Sequence, residues 1–163
     1  MQGLIAQTEA RRFMPVARPM LALSGHLPRE RVFALSDLLK FERHDLGPTQ
    51  VNCFTGRPVV HVQSFAGVRL RDVLDDSGFS AQPRSQLKRC VIVAAASDGH
   101  RAAFSWSELY NTAVGDGVLI LFERNGSALD EQLGPLSLIS MADRQLGPRN
   151  LKQLRSVHIS LVS

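Results

Sequence analysis

The stretch VNCFTGRPVVH, residues 51–61, gathers the side chains with the most chemical reach in this chain. Cys53 closes a β-like run just before the turn signal Thr55-Gly56, with Asn52, Arg57 and His61 close by in sequence. A cysteine so placed reads three ways: a small apolar core residue, a thiolate nucleophile, or a ligand to a soft metal. Nucleophilic catalysis would pair Cys53 with His61 or His100, but the sequence supplies neither an orienting third group nor an oxyanion motif. His61 sits between Val60 and Val62, where a half-buried imidazole is the ordinary reading. Cys90, the other of the two cysteines, precedes the apolar run VIVAAA and reads as core. Without C-x-x-C spacing the pair is neither a zinc signature nor a disulfide framework, and both are expected as reduced thiols.

Two further polar groups stand at the ends of β-like runs. Asp98-Gly99 is turn chemistry whatever the function, and His100 lies just beyond it. Arg149-Asn150-Leu151-Lys152 precedes the final run and offers cations with backbone N–H groups to an anion. The charge balance narrows the partner. Nineteen Lys and Arg against 15 Asp and Glu give +4, but the cations are scattered, and one Trp with one Tyr makes a poor stacking platform. That pattern excludes a nucleic-acid binder and suits a small anionic ligand.

The elements that must position these groups are short. A chain of 163 residues, 44% hydrophobic and 21% charged, is one globular domain with a real core. Residues 1–18 read as an arm and 19–163 as a single domain. The pattern predicts a strand over 20–25, then a strand running into a helix over 31–41 with Ser36 as N-cap. Strands over 49–54 and 58–65 flank Thr55-Gly56-Arg57 as a hairpin or tight crossover. Gly67 opens a helix that Gly78 stops, and 80–86 is a loop. RCVIVAAAS (89–97) predicts a strand buried on both faces, HRAAF a short strand, and SWSELYN a helix boxed by Ser105 and Glu108. GVLILFER (117–124) predicts a buried strand closed by Asn125-Gly126, and LSLISM and SVHISLV finish the sheet. Many strands, three short helices and no βαβ alternation make an α+β domain: mixed β-sheets with a few short peripheral helices. No apolar run approaches the roughly 18 residues of a spanning helix, and the start lacks a signal-peptide core. As written the chain is expected in the cytoplasm, or in the periplasm if a leader has been removed.

The order of the landmarks resembles the molybdopterin-binding domain of the sulfite-oxidase-like oxidoreductases, in its short stand-alone form. VNCFTGR is followed by FAGVRLRDVLDDSGF, then VIVAAASDGHRAAFSWSEL, VLILFERNGSALDEQLGPLSLISM and GPRNLKQLRSVHISLV, so the likeness runs over residues 19–162. The resemblance implies that Cys53 ligates molybdenum through its thiolate beside the dithiolene sulfurs of the pterin. Arg57 joins Cys53 as a catalytic group, and Asn52, His61, Asp98, His100, Arg149, Asn150 and Lys152 are expected around the cofactor. The implied reaction is two-electron oxygen-atom transfer on a small oxyanion or sulfoxide. With no haem or flavin signature, the electrons would pass to a separate partner. Three motifs depart from the family. Phe54-Thr55-Gly56-Arg57 follows the cysteine in place of a Gly-Asn-Arg type of stretch, Ser137 stands where GxPLR has its arginine, and Gln153 stands where a tryptophan follows the lysine. These departures keep a second expectation in view: a cofactor-free domain of the same fold that binds a small anionic ligand or a protein partner.

Overall fold

Strand β7 (Val118–Arg124) carries apolar side chains to both of its faces, and the architecture is the means of covering them. The computed structural model describes residues 18–47 and 63–163. Val118, Ile120 and Phe122 join a cluster that also takes Leu21, Leu23, Ile92, Ala94, Val157 and Ile159 from a second sheet. Leu119 and Leu121, on the opposite face, pack with Leu46, Phe65, Leu129, Leu133 and Ile139. Alternation with period two is what divides the strand between two clusters.

The first sheet holds β1 (Pro19–Gly25), β2 (Arg31–Ala34), β5 (Cys90–Ala96), β6 (Arg101–Ser105) and β10 (Leu154–Leu161), in the order β2-β1-β10-β5-β6. Strands β1 and β10 pair in parallel and the other neighbours are antiparallel, so the sheet is mixed. The second sheet runs β3 (His44–Leu46), β4 (Phe65–Arg69), β7 and β8 (Ser127–Ala128), with β9 (Ser137–Ser140) also pairing β7, all antiparallel. Four short helices complete the described chain: α1 (Leu35–Leu38), α2 (Leu70–Asp76), α3 (Arg84–Leu87) and α4 (Trp106–Asn111). The α+β architecture of mixed sheets and short peripheral helices is the one expected.

Local chemistry explains most boundaries. Ser105 Oγ accepts the Glu108 N–H and Glu108 accepts the Ser105 N–H, each at 3.0 Å, which closes the capping box that starts α4. Gly78 stops α2 with φ +80°, and Asn125-Gly126 turns β7 into β8 with both residues at positive φ.

Several expectations are corrected. Helix α1 begins before Ser36: Ala34 is its N-cap, and the Asp37 carboxylate accepts the Ala34 N–H at 2.8 Å. Gly67 lies inside β4 and α2 opens at Leu70, because β4 uses Gly67–Arg69 to pair with β7. The segment expected as loop over 80–86 contains the end of a 3-10 turn and most of α3. Strand β5 alternates between buried and half-buried residues, so one face alone is sealed. Strand β3 was not expected, being only three residues long. The hairpin expected over 49–65 lies outside the described residues up to position 62.

Gly67 is required by close approach and not by its dihedral angles. A Cβ there would stand 2.1 Å from the Ile120 carbonyl oxygen of β7. The backbone would have to part where the β4–β7 register already shifts. Gly67→Ala should therefore cost about 3 kcal/mol of unfolding free energy by urea titration, at the upper end for overpacking a core.

Candidate cofactor site

Four of the named candidate residues, Asn52, Cys53, Arg57 and His61, lie outside the described residues. The other five occupy two neighbouring segments. Asp98 and His100 form the turn between β5 and β6, and Arg149, Asn150 and Lys152 sit in the segment that enters β10. Gln153 joins the two. Its carbonyl accepts the Ser97 N–H at 3.0 Å and its side-chain oxygen takes the Ser97 hydroxyl at 2.6 Å. Its amide also reaches the Glu131 carbonyl at 2.7 Å, and its backbone adopts φ +54° to do so. A residue where the family places a tryptophan thus serves here as a polar knot.

Arg149 is committed inward. Its Nε and Nη2 donate to the two oxygens of Asp143 at 2.8 and 2.6 Å, while Nη1 donates to Glu108 at 2.9 Å and to the Ala103 carbonyl at 3.1 Å. The guanidinium also lies 4.4 Å from the centre of the Phe104 ring. Four of its five N–H groups are therefore taken by protein, and the residue clamps the loop after β9 to the start of α4. The hydrogen bond from Arg149 holds the Asp143 carboxyl below its usual range against the opposing effect of burial. At Glu108 burial pushes upward, but the Ser105 N–H and Arg149 outweigh it and the carboxyl is also lowered.

Asn150, next in the chain, is the reverse case. Its Nδ2 and Oδ1 are both buried and neither has a hydrogen-bond partner. The surrounding backbone is fixed, since Asn150 N donates to the Gly147 carbonyl at 3.2 Å and Leu151 exchanges hydrogen bonds with Leu138. An unpaired buried amide costs about 1–3 kcal/mol, and nothing local relieves it. Lys152 is exposed beside it.

The Asp98–His100 turn is closed on itself. The carboxylate takes the His100 N–H at 3.0 Å and meets its Nδ1 at 2.9 Å, and both side chains face solvent. The backbone N–H of His100 is the main reason the Asp98 carboxyl is lowered. Ser137 is wholly buried and its hydroxyl donates to the Leu133 carbonyl, so no arginine could stand at that point without opening the core. Among the described residues, a hollow of about 460 Å³ is lined by His44, Asp116, Leu119 and Met141 among others, and by none of the candidates. Sequence reasoning missed Asp143 and marked Glu108 only as a helix cap and Gln153 only as a departure from the family, because their roles depend on partners 6, 41 and 56 positions away.

Two comparisons place this arrangement. In structure the chain is similar to the sulfane dehydrogenase SoxCD from Paracoccus pantotrophus, with a TM-score of 0.61 at 20% identity. The likeness covers 85% of this chain and 37% of the other, so the chain spans well under half of that protein. At that identity it is the fold that is shared: a sulfite-oxidase-like molybdopterin domain. The family described as "Oxidoreductase molybdopterin binding domain" matches residues 14–161, and the chain belongs to it. No curated protein sequence matches it significantly.

Because the Asp143 and Glu108 carboxyls sit below their unfolded values, their contribution is complete above the ordinary carboxylate range and fades as pH falls through it. Arg149→Met should remove about 2–3 kcal/mol at neutral pH. It should also flatten the loss of stability between neutrality and acid, measured by urea unfolding at a series of pH values.

Proposed function

We propose that this domain is a molybdopterin-dependent oxidoreductase acting by two-electron oxygen-atom transfer on a small oxyanion or sulfoxide, with Cys53 as protein ligand to the metal. The observation that carries the reading is the Asn150 amide, held buried with donor and acceptor both unmet in the segment where the resemblance puts the cofactor's anchor. A pterin edge or a phosphate ester presents the donors and acceptors such an amide lacks, so this residue fits the group. The thiolate of Cys53 is the soft donor that a sulfur-rich molybdenum centre takes.

The roles of the chain's own residues follow. Asn150 binds and orients through its amide, and Lys152 beside it supplies a cation toward solvent. Arg57, four residues beyond Cys53, favours the thiolate over the thiol, and His61 adds to this when protonated. Asn52 completes the set on that side, with Asp98 and His100 at the rim. Arg149 acts through Asp143 and Glu108, fixing the loop that presents Asn150. When bound, the cofactor supplies two-electron redox chemistry coupled to oxygen-atom transfer. Electrons leave to a separate protein partner.

A second reading is favoured by two observations: the guanidinium of Arg149 is already spent on carboxylates, and Ser137 leaves no arginine for an anion. On that reading the same fold, without cofactor, binds a small anionic ligand or a protein.

Protein from a host that makes molybdenum cofactor separates the two. The enzyme reading expects near-stoichiometric molybdenum and pterin by elemental analysis and fluorescence, both lost on Cys53→Ser. Asn150→Leu should lower cofactor content while making the cofactor-free protein about 1 kcal/mol more stable, because it removes the unpaired amide. Preparations repeatedly devoid of metal and pterin would leave only the binding reading.

A further inference from the structure

We propose that Glu42, His44 and Asp72, none of them among the candidate cofactor residues, form a binding site for one divalent transition-metal ion. Each offers one ligand atom, and the three atoms lie within 4.8 Å of one another. His44 Nε2 is 3.9 Å from Glu42 Oε2, inside the roughly 4.2 Å that two metal–ligand bonds of about 2.1 Å can span. The three come from different elements. Glu42 lies between α1 and β3, His44 opens β3, and Asp72 sits in the first turn of α2. The β3–β4 ladder pairs His44 with Gly67, and β4 runs straight into α2, so two strands and a helix start hold the ligands in place.

Two further observations point to a cation. His44 Nε2 is buried and makes no hydrogen bond, although the site opens to solvent on the Glu42 side. No lysine or arginine pairs with either carboxylate among the described residues, although arginines stand on either side, and Glu42 meets only His44. Arg43 is spent on Asp45 and Glu123, Arg69 on the Asp116 carbonyl, and Arg71 on Asp116 and the Leu109 carbonyl. Two carboxylates and an imidazole converge with no lysine or arginine among them. A divalent ion balances that charge and satisfies the nitrogen at once. One imidazole with two carboxylates suits zinc, cobalt(II) or manganese(II), with water filling the remaining positions. The ion would tie β3 to α2 next to the point where the chain leaves for residues 48–62.

The test uses the full chain carrying Cys53→Ser, which removes the competing thiolate and any dependence on molybdenum. Zinc should raise its melting temperature and bind with one-to-one stoichiometry by calorimetry. Cobalt(II) should give visible d–d absorption without a thiolate charge-transfer band. Adding His44→Gln or Asp72→Asn should weaken zinc binding at least about tenfold, as expected for loss of a direct ligand. Glu42→Gln, on an exposed side chain that threatens no packing, should weaken it in the same direction. His158→Gln, whose imidazole meets Ser24 in the other sheet, should change nothing. Equal zinc affinity in the Cys53→Ser protein and its His44→Gln and Glu42→Gln derivatives, or no saturable binding at all, would overturn the site.

Discussion

A central strand that is apolar on both faces has to be covered twice, and β7 sets that requirement for the whole domain. Val118 to Phe122 are all buried, so neither face can be left to water. The sheet of β1, β2, β5, β6 and β10 covers one side. Leu129 and Leu133, from the chain between β8 and β9, cover the other together with Leu46 of β3. The chain after β9 then has to pass along this packed body before it can enter β10. That passage carries Asp143, Arg149, Asn150 and Gln153, so the candidate site is built on a segment whose course the core dictates.

Within that segment the buried polar side chains are matched with one exception. Arg149 spends its guanidinium on Asp143, Glu108, a carbonyl and an aromatic face. Gln153 spends its amide on Ser97 and Glu131. Between them the Asn150 amide meets nothing. That unmet amide, beside neighbours so fully engaged, is the feature on which the proposed cofactor contact rests. A similar contrast holds at β3, where Arg43 and Arg71 are spent on other carboxylates and the His44 Nε2 beside Glu42 and Asp72 makes no hydrogen bond.

How much of this was legible in the sequence depended on the range of each interaction. Ser105 and Glu108 are three residues apart, and their spacing announced α4. Asn125-Gly126 announced the β7–β8 turn. The alternation of Val157 and Ile159 announced β10, although Leu161 is partly exposed at its end. Ser36 misled because a serine before an apolar run imitates an N-cap, whereas the Asp37 carboxylate fixes the true start two residues earlier. Gly67 misled because a glycine between apolar residues suits a helix start or a close strand crossing, and only the nearness of Ile120 decides. The family's ordered motifs named Arg149 as an anion contact, but its carboxylate partners, one of them 41 positions distant, redirect it. His44 carried no sequence signal because its prospective companion Asp72 is brought to it by the β3–β4 ladder.

The middle position of the first sheet belongs to β10, although its residues, Leu154–Leu161, follow all the other strands in the chain. During synthesis β1 and β5 must therefore wait with open edges until that strand has left the ribosome, since it is the one that bonds to both. Assembly of this sheet is thus held until Leu154–Leu161 has emerged, and pairings as distant as that of residues 22 and 156 raise the contact order and slow the approach to the native state. A nascent chain stalled before β10 would expose two unsatisfied ladders, which makes it a natural client for holding chaperones.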